Sequence, residues 1–198
     1  MKAPRLLWIT PPLGDLRPTL ELARALPGDV AQHIALLLRR PKASGRALAE
    51  ATRELASLPV RRFVQRLDLA LAFDADGVHL PERGLRPSDL PTGRFCIGAS
   101  RHDEAGVAQA LAEGADYVTL SPVFASPGKG TPLGVEAFRV VASRHGPLLG
   151  LGGVLGTEHA SALASAGAHG TAAIRGVHDR ASIEALLGPF VRPRRRRW

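Results

Sequence analysis

The chain has 198 residues, of which 45% are hydrophobic and 22% are charged. This balance suffices to bury one globular core and excludes a fibrous or largely disordered protein. No apolar run approaches the roughly 18 residues that span a bilayer, and the apolar segment near the N-terminus is too short for a signal peptide. We therefore expect a cytoplasmic protein without a membrane partner.

The formal net charge of +8 is unevenly distributed. Five arginines lie in the last seven residues, 192–198, which leaves a net charge of about +3 for the rest of the chain. We interpret 191–198 as a basic C-terminal tail after a single domain at 1–190, and we do not expect a nucleic-acid partner. The single cysteine, Cys96, excludes an intramolecular disulfide, and its strand-like surroundings favour a packing role.

Short apolar runs alternate with Ala- and Leu-rich stretches of helical period along the whole chain. The predicted strands, in chain order, span 6–10, 33–38, 60–65, 76–80, 95–99, 116–120, 147–151 and 170–175. The predicted helices span 17–26, 44–57, 67–73, 85–90, 103–113, 134–145, 157–166 and 179–188. Each strand is therefore followed by a helix, and no hairpin signal interrupts the alternation.

This alternation predicts an α/β protein with a parallel sheet, because parallel neighbours need crossover connections. Right-handed crossovers repeated eight times close a (β/α)8 TIM barrel, which is our predicted fold. An open doubly wound sheet is the alternative. That fold favours a Gly-x-Gly-x-x-Gly turn after the first strand, and the segment 10–14 has the sequence Thr-Pro-Pro-Leu-Gly instead.

The loop at 121–134 follows the predicted sixth strand and combines Ser, Pro, Gly and Thr with one lysine, Lys129. Small residues let main-chain amides approach a ligand, while hydroxyl groups and Lys129 favour an anion. We predict an anion-binding loop in which Ser126 and Lys129 contact phosphate and Lys129 contributes to catalysis. A proline-stiffened surface loop is the alternative interpretation.

One glycine pair follows the seventh predicted strand, and an arginine and a single glycine follow the eighth. Barrel enzymes commonly hold phosphate after strands seven and eight, where glycine lets amides point at the ligand. Gly152 and Gly153 end the seventh strand, and Arg175 and Gly176 end the eighth. We predict that these four residues bind phosphate, although a tight turn alone would also use such glycines.

Several segments match the motifs of one known family, in the same order along the chain. They are Asp76–Leu80, Ile97–His102, Gly114–Val118, Ser121–Phe124 and Gly150–Val154. Together they make the chain resemble the thiamine-phosphate synthase family, whose superfamily also contains the TenI-like thiazole tautomerases. For a synthase, the resemblance implies coupling of a hydroxymethylpyrimidine pyrophosphate to a thiazole phosphate. It implies that pyrophosphate departs with help from Mg²⁺, through a cationic pyrimidine intermediate.

The resemblance also assigns roles to individual positions. It implies that Ser100 holds pyrophosphate, that Ser126 and Lys129 belong to a phosphate-binding loop, and that Gly152 and Gly153 contact the thiazole phosphate. It further implies substrate contacts after strands two and three, and the matching residues here are Arg39, Lys42 and Arg66.

Both acids that the resemblance assigns to Mg²⁺ are replaced. Gln65 and Gly84 stand at those positions, and Glu82 is the nearest remaining carboxylate. Mg²⁺ prefers carboxylate and phosphate oxygens. We therefore predict no metal ligands and no cofactor, with Mg²⁺ needed only if synthase activity is retained.

Our main functional prediction is a diverged barrel that binds a thiazole phosphate and works without metal, as a tautomerase would. His79, His102 and Glu82 are its candidate acid–base residues, because they follow neighbouring strands and histidine titrates near neutrality. Packing or helix-capping roles for the histidines, and an ion pair for Glu82, are the alternatives. The histidine that tautomerases carry at position 122 is a proline here.

Two other functional hypotheses stay open. The chain could be an active thiamine-phosphate synthase or a non-catalytic, regulatory phosphate-ligand binder. In every case we expect a small phosphate-bearing partner, and the sequence leaves homodimerisation open.

Overall fold

A computed structural model describes residues 2–191, and its eight parallel strands form one closed barrel. The strands are β1 (Leu6–Ile9), β2 (Ile34–Leu38), β3 (Arg61–Val64), β4 (Gly77–Leu80), β5 (Cys96–Arg101), β6 (Tyr117–Leu120), β7 (Leu148–Gly150) and β8 (Gly170–Ala173). Each strand pairs with the next in sequence, and β8 pairs with β1 to close the barrel. The predicted (β/α)8 fold is confirmed.

Helices cover the outside of the barrel. They are α1 (Arg17–Arg24), α2 (Gly28–Ala31), α3 (Gly45–Leu55), α4 (Leu67–Ala72), α5 (Glu104–Ala112), α6 (Val135–Arg144), α7 (Thr157–Ser165) and α8 (Arg180–Leu187). The helix predicted at 85–90 is wrong, because only a 3-10 turn forms at Pro87–Asp89. Gly84 has a φ of +122°, and Pro87 and Pro91 lack the amide hydrogens that a helix needs. The one-turn helix α2 was not predicted.

The core has two layers, because successive side chains on a strand point to opposite faces. In β2, Ile34, Leu36 and Leu38 pack outward against the helices, while Ala35 and Leu37 pack inside the barrel. All five are at most 3% exposed. This inner layer packs the middle of the barrel.

Side-chain caps fix where two helices begin after their strands. Asp103 accepts a hydrogen bond from the Gly106 amide at 2.7 Å and starts α5 directly after β5. Asp179 accepts one from the Ser182 amide at 2.7 Å and starts α8. Such caps satisfy amides that the first helical turn leaves unpaired.

None of the helices in residues 2–191 is long and apolar enough to cross a membrane. The predicted tail falls almost wholly on 192–198, outside the described residues.

Candidate active site at the carboxyl ends of the strands

A cavity of about 530 Å³ opens at the carboxyl ends of the barrel strands. All eight strands, or the loops that follow them, contribute to its lining. Ten predicted site residues line this cavity: Arg39, His79, Glu82, Ser100, His102, Ser126, Lys129, Gly152, Gly153 and Arg175. The topology thus brings together residues that are up to 136 positions apart in sequence.

Three predicted residues do not line the cavity. Lys42 is exposed on the loop before α3. Arg66 is exposed, and its guanidinium pairs with Asp68 at the start of α4. Gly176 is buried and packs against the Val154 carbonyl oxygen, which a β-carbon on residue 176 would approach to 2.6 Å. Their binding roles stay predictions.

The loop after β6 is joined to the loop after β7 by main-chain hydrogen bonds. The Val123 amide donates to the Leu151 carbonyl at 2.9 Å, and the Phe124 amide donates to the Gly152 carbonyl at 3.0 Å. Beyond this junction, the Lys129 amide donates to the Ser126 carbonyl at 3.1 Å. This turn places the Ser126 and Lys129 side chains at the cavity beside the glycine pair.

The glycine pair after β7 occupies a position that only glycine suits. Gly152 and Gly153 have φ angles of +94° and +69°, which side-chain-bearing residues rarely adopt. A β-carbon on residue 152 would also lie 2.7 Å from the Pro122 α-carbon. Within residues 2–191, neither glycine amide donates to a protein acceptor. Two glycine amides without a protein acceptor at this cavity match the contacts predicted for a phosphate.

A buried hydrogen-bond network extends from the barrel interior to the cavity. The His79 Nδ1 atom lies 2.9 Å from the Tyr117 hydroxyl oxygen, and its Nε2 atom lies 2.8 Å from the Ser100 hydroxyl oxygen. The Thr119 hydroxyl donates to the Ser100 oxygen at 3.3 Å. Burial, and secondarily the Arg101 charge, lowers the pKa of His79 to about 3. The expectation that His79 titrates near neutrality is therefore wrong.

His102 has a different environment, at the exposed rim of the same cavity. Its Nδ1 atom lies 2.6 Å from the Ser121 carbonyl oxygen, an acceptor that requires a proton on Nδ1. The Nε2 atom is 3.9 Å from a Glu82 carboxylate oxygen. Of the two histidines, His102 is thus the one whose ring lies at the open rim of the cavity, with its Nε2 atom facing Glu82.

The charges that line the cavity favour an anionic ligand. Arg39, Lys129 and Arg175 contribute three cations, and Glu82 is the only carboxylate among the lining residues. Within residues 2–191, no three His, Cys, Asp or Glu side chains are grouped to hold a metal ion. Gln65, at the position of a predicted missing metal ligand, does line the cavity.

The sequence analysis missed Tyr117 and Thr119. Both precede the polar loop after β6 and lie inside the apolar run that predicted a buried strand. Strand alternation is the signal that could have found them, because it places both side chains on the barrel interior beside Ser100. Cys96, by contrast, is buried as expected, and burial raises the pKa of its thiol to about 12.

The fold and this cavity define a barrel with a basic ligand site at the usual place for barrel enzymes. Comparison with known proteins agrees. The family model described as thiamine monophosphate synthase matches residues 15–177. The chain is 36% identical to the thiamine-phosphate synthase of Moorella thermoacetica, over 89% of each protein. It is 38% identical to that of Methanoculleus marisnigri, over 83% of this chain and 81% of the relative.

One solved structure of a similar protein agrees with this. The thiamine phosphate pyrophosphorylase of Pyrococcus furiosus superposes with a TM-score of 0.74 and 26% identity, covering 94% of this chain and 93% of that one. The chain belongs to the thiamine monophosphate synthase family. The family resemblance inferred from the sequence motifs is therefore confirmed.

Proposed function

We propose that the protein is a thiamine-phosphate synthase that couples hydroxymethylpyrimidine pyrophosphate to thiazole phosphate. In this reaction the bond between the pyrimidine methylene carbon and pyrophosphate breaks, and the same carbon bonds to the thiazole nitrogen. The names of the similar proteins support this alternative over the tautomerase-like function that the missing acids suggested.

The observation that carries the proposal is the convergence of three cations and two unpaired glycine amides on one cavity. Arg39, Lys129 and Arg175 line it together with Gly152 and Gly153. A synthase must hold two phosphate-bearing substrates at once and must stabilise the departing pyrophosphate. Fixed donors and cations aimed at developing negative charge are the usual protein contribution to such a step.

Each half of the cavity suits one substrate. Ser100, Ser126 and Lys129 offer hydroxyl and ammonium donors for the pyrophosphate. Gly152 and Gly153 offer amides for the thiazole phosphate. Because these two segments are joined by hydrogen bonds between their loops, they hold the reacting groups at a fixed separation.

The donors present do not make a Mg²⁺ site of their own. Glu82 is the single carboxylate at the cavity, and it is exposed beside His102. Gln65 offers a neutral amide where an acid would be needed. Mg²⁺ is usually bound through one or two carboxylates together with substrate phosphates. The charge of the pyrophosphate is therefore balanced, on the protein side, by Arg39, Lys129 and Arg175.

A coupling assay tests the proposal. The purified chain is incubated with both substrates, with Mg²⁺ or with a chelator, and thiamine phosphate is quantified by mass spectrometry. We expect product that depends on the enzyme, and we expect Lys129→Gln to reduce its formation at least about tenfold, because it removes a cation from the leaving group.

Lys2→Gln is the matched control, since Lys2 is an exposed lysine at the opposite end of the barrel. A folded enzyme that forms no product under either condition would refute the proposal. Product formation that Lys129→Gln leaves unchanged would refute the assignment of the loop.

A further inference from the structure

We propose that Tyr117 and His79 form a buried positioning relay that fixes the Ser100 hydroxyl as a hydrogen-bond donor toward an anionic group in the cavity. The identity of that group as pyrophosphate rests on the proposed function. The relay itself rests on the geometry of β4, β5 and β6.

The three strands are in a register that makes the relay. His79 on β4 pairs with Gly98 on β5, and Gly98 pairs with Tyr117 on β6. The His79 and Tyr117 side chains therefore meet above a residue that has no side chain. A β-carbon on residue 98 would lie 2.6 Å from His79 Nδ1 and would collide with the Tyr117 ring. Gly98 is what allows the contact.

The direction of the hydrogen bonds follows from satisfying every buried hydrogen. His79 is 2% exposed and has a pKa of about 3, so it is neutral and carries one N–H and one lone pair. Tyr117 is fully buried, and His79 is the only hydrogen-bond partner of its hydroxyl among residues 2–191. If His79 donated to Tyr117, the Tyr117 hydrogen would lack an acceptor.

In the arrangement that gives every buried hydrogen an acceptor, all the hydrogen bonds run from Tyr117 toward Ser100. Tyr117 donates to Nδ1, and Nε2–H donates to the Ser100 oxygen. Thr119 donates to the same oxygen, at 3.3 Å, so both Ser100 lone pairs are occupied. The Ser100 hydrogen is then left to point away from the network, and Ser100 lines the cavity.

This arrangement has a chemical consequence. A serine hydroxyl can ordinarily donate or accept, but here it can only donate. A fixed donor favours an oxyanion over a neutral group that must itself donate. His79 and Tyr117 act through Ser100, which makes them positioning residues and not catalytic residues.

The first test reads the tautomer of His79 in the parent protein. Long-range ¹H–¹⁵N NMR distinguishes the two neutral tautomers, and we expect the proton on Nε2. A proton on Nδ1 would overturn the relay whatever the enzyme's activity. A charged His79 at neutral pH would overturn it as well.

The second test uses inorganic pyrophosphate as the probe, with affinity measured by calorimetry. We expect Ser100→Ala and Tyr117→Phe each to weaken binding about tenfold, and the double variant to be no weaker than Ser100→Ala alone. If the losses of pyrophosphate affinity multiply in the double variant, Tyr117 does not act through Ser100 and the relay is contradicted. Thr52→Val is the matched control, because it removes a buried hydroxyl in α3, remote from the cavity.

His79→Gln provides a variant for the case in which Tyr117→Phe does not fold. We expect the same tenfold loss for pyrophosphate, and parent-like affinity would contradict the relay. These readouts separate the relay from the proposed function. If the tautomer and the affinities are as expected but no thiamine phosphate is formed, the relay stands and the function fails. If thiamine phosphate is formed but the His79 proton lies on Nδ1, the proposed function stands and the relay fails.

Discussion

The substitution Gly152→Ala tests whether the glycine pair after β7 is shaped for close approach. At a φ of +94°, alanine adopts a left-handed conformation that costs about 1–2 kcal/mol. Its β-carbon would lie 2.7 Å from the Pro122 α-carbon and 2.8 Å from the Pro122 β-carbon, so the loop must shift. Such overpacking adds about 1–3 kcal/mol.

We therefore expect Gly152→Ala to lower the free energy of unfolding by about 2–5 kcal/mol. For a chain of this length that corresponds to roughly 4–20 °C in melting temperature. Because Pro122 belongs to the neighbouring loop, the displacement should also move the Gly152 and Gly153 amides at the cavity. We expect the affinity for thiazole phosphate to fall at least about tenfold.

Differential scanning calorimetry and isothermal titration measure the two effects. Gly156→Ala is the matched control in the same loop, because residue 156 has an extended φ of 179° and no atom lies within 4 Å of its β-carbon position. Because residue 156 is the N-cap of α7, where alanine is less favourable than glycine, that control should lose no more than about 1 kcal/mol. If Gly152→Ala matched both the stability and the affinity of the control, the reasoning about this turn would be refuted.

Three further predictions concern the same cavity. Lys129→Ala should weaken binding of inorganic pyrophosphate about tenfold in calorimetry while Lys129→Arg keeps most of it, since the charge matters more than the side chain; equal affinities would contradict this. Because His79 has a pKa of about 3 in the folded protein against 6.5 ordinarily, the unfolded chain binds more protons between those values. The free energy of unfolding should thus fall by up to about 1.4 kcal/mol per pH unit as the pH drops through this window. In His79→Gln, the free energy of unfolding measured by urea titration should depend less steeply on pH than in the parent. Mg²⁺ alone should give no measurable heat with the parent, whereas Gln65→Asp should gain a Mg²⁺-dependent increase in pyrophosphate affinity; micromolar Mg²⁺ binding by the parent would show that the cavity holds ligands we have not recognised.

The fold was predictable because most strands are short apolar runs and most helices show the helical spacing of apolar residues. The helix predicted at 85–90 does not form because Gly84, Pro87 and Pro91 each disfavour a helix. The short α2 has one turn, too few residues for a periodic signal.

The place of a residue at the cavity was predictable where it depends on the end of the residue's own strand. Placing Gly152 and Lys129 there needed only the position of a strand and the chemistry of a loop, while their roles stay predictions. His79 needed more, because its state depends on Tyr117, 38 residues away, and on the absence of a side chain at Gly98. Arg66 does not line the cavity, and its guanidinium pairs instead with the carboxylate of Asp68, two residues along the chain. A local sequence pattern does not show which side chains will meet across neighbouring strands. It also does not show which nearby residue will form an ion pair with a given side chain.

The missing side chain at Gly98 has a consequence for how this protein can change. Any replacement there must be accompanied by smaller residues at 79 or 117, and any larger residue at 79 must find its volume at 98 or 117. We expect strong epistasis among these three positions. A library randomised at all three should yield functional variants with a side chain at 98 only where residue 79 or 117 has become smaller.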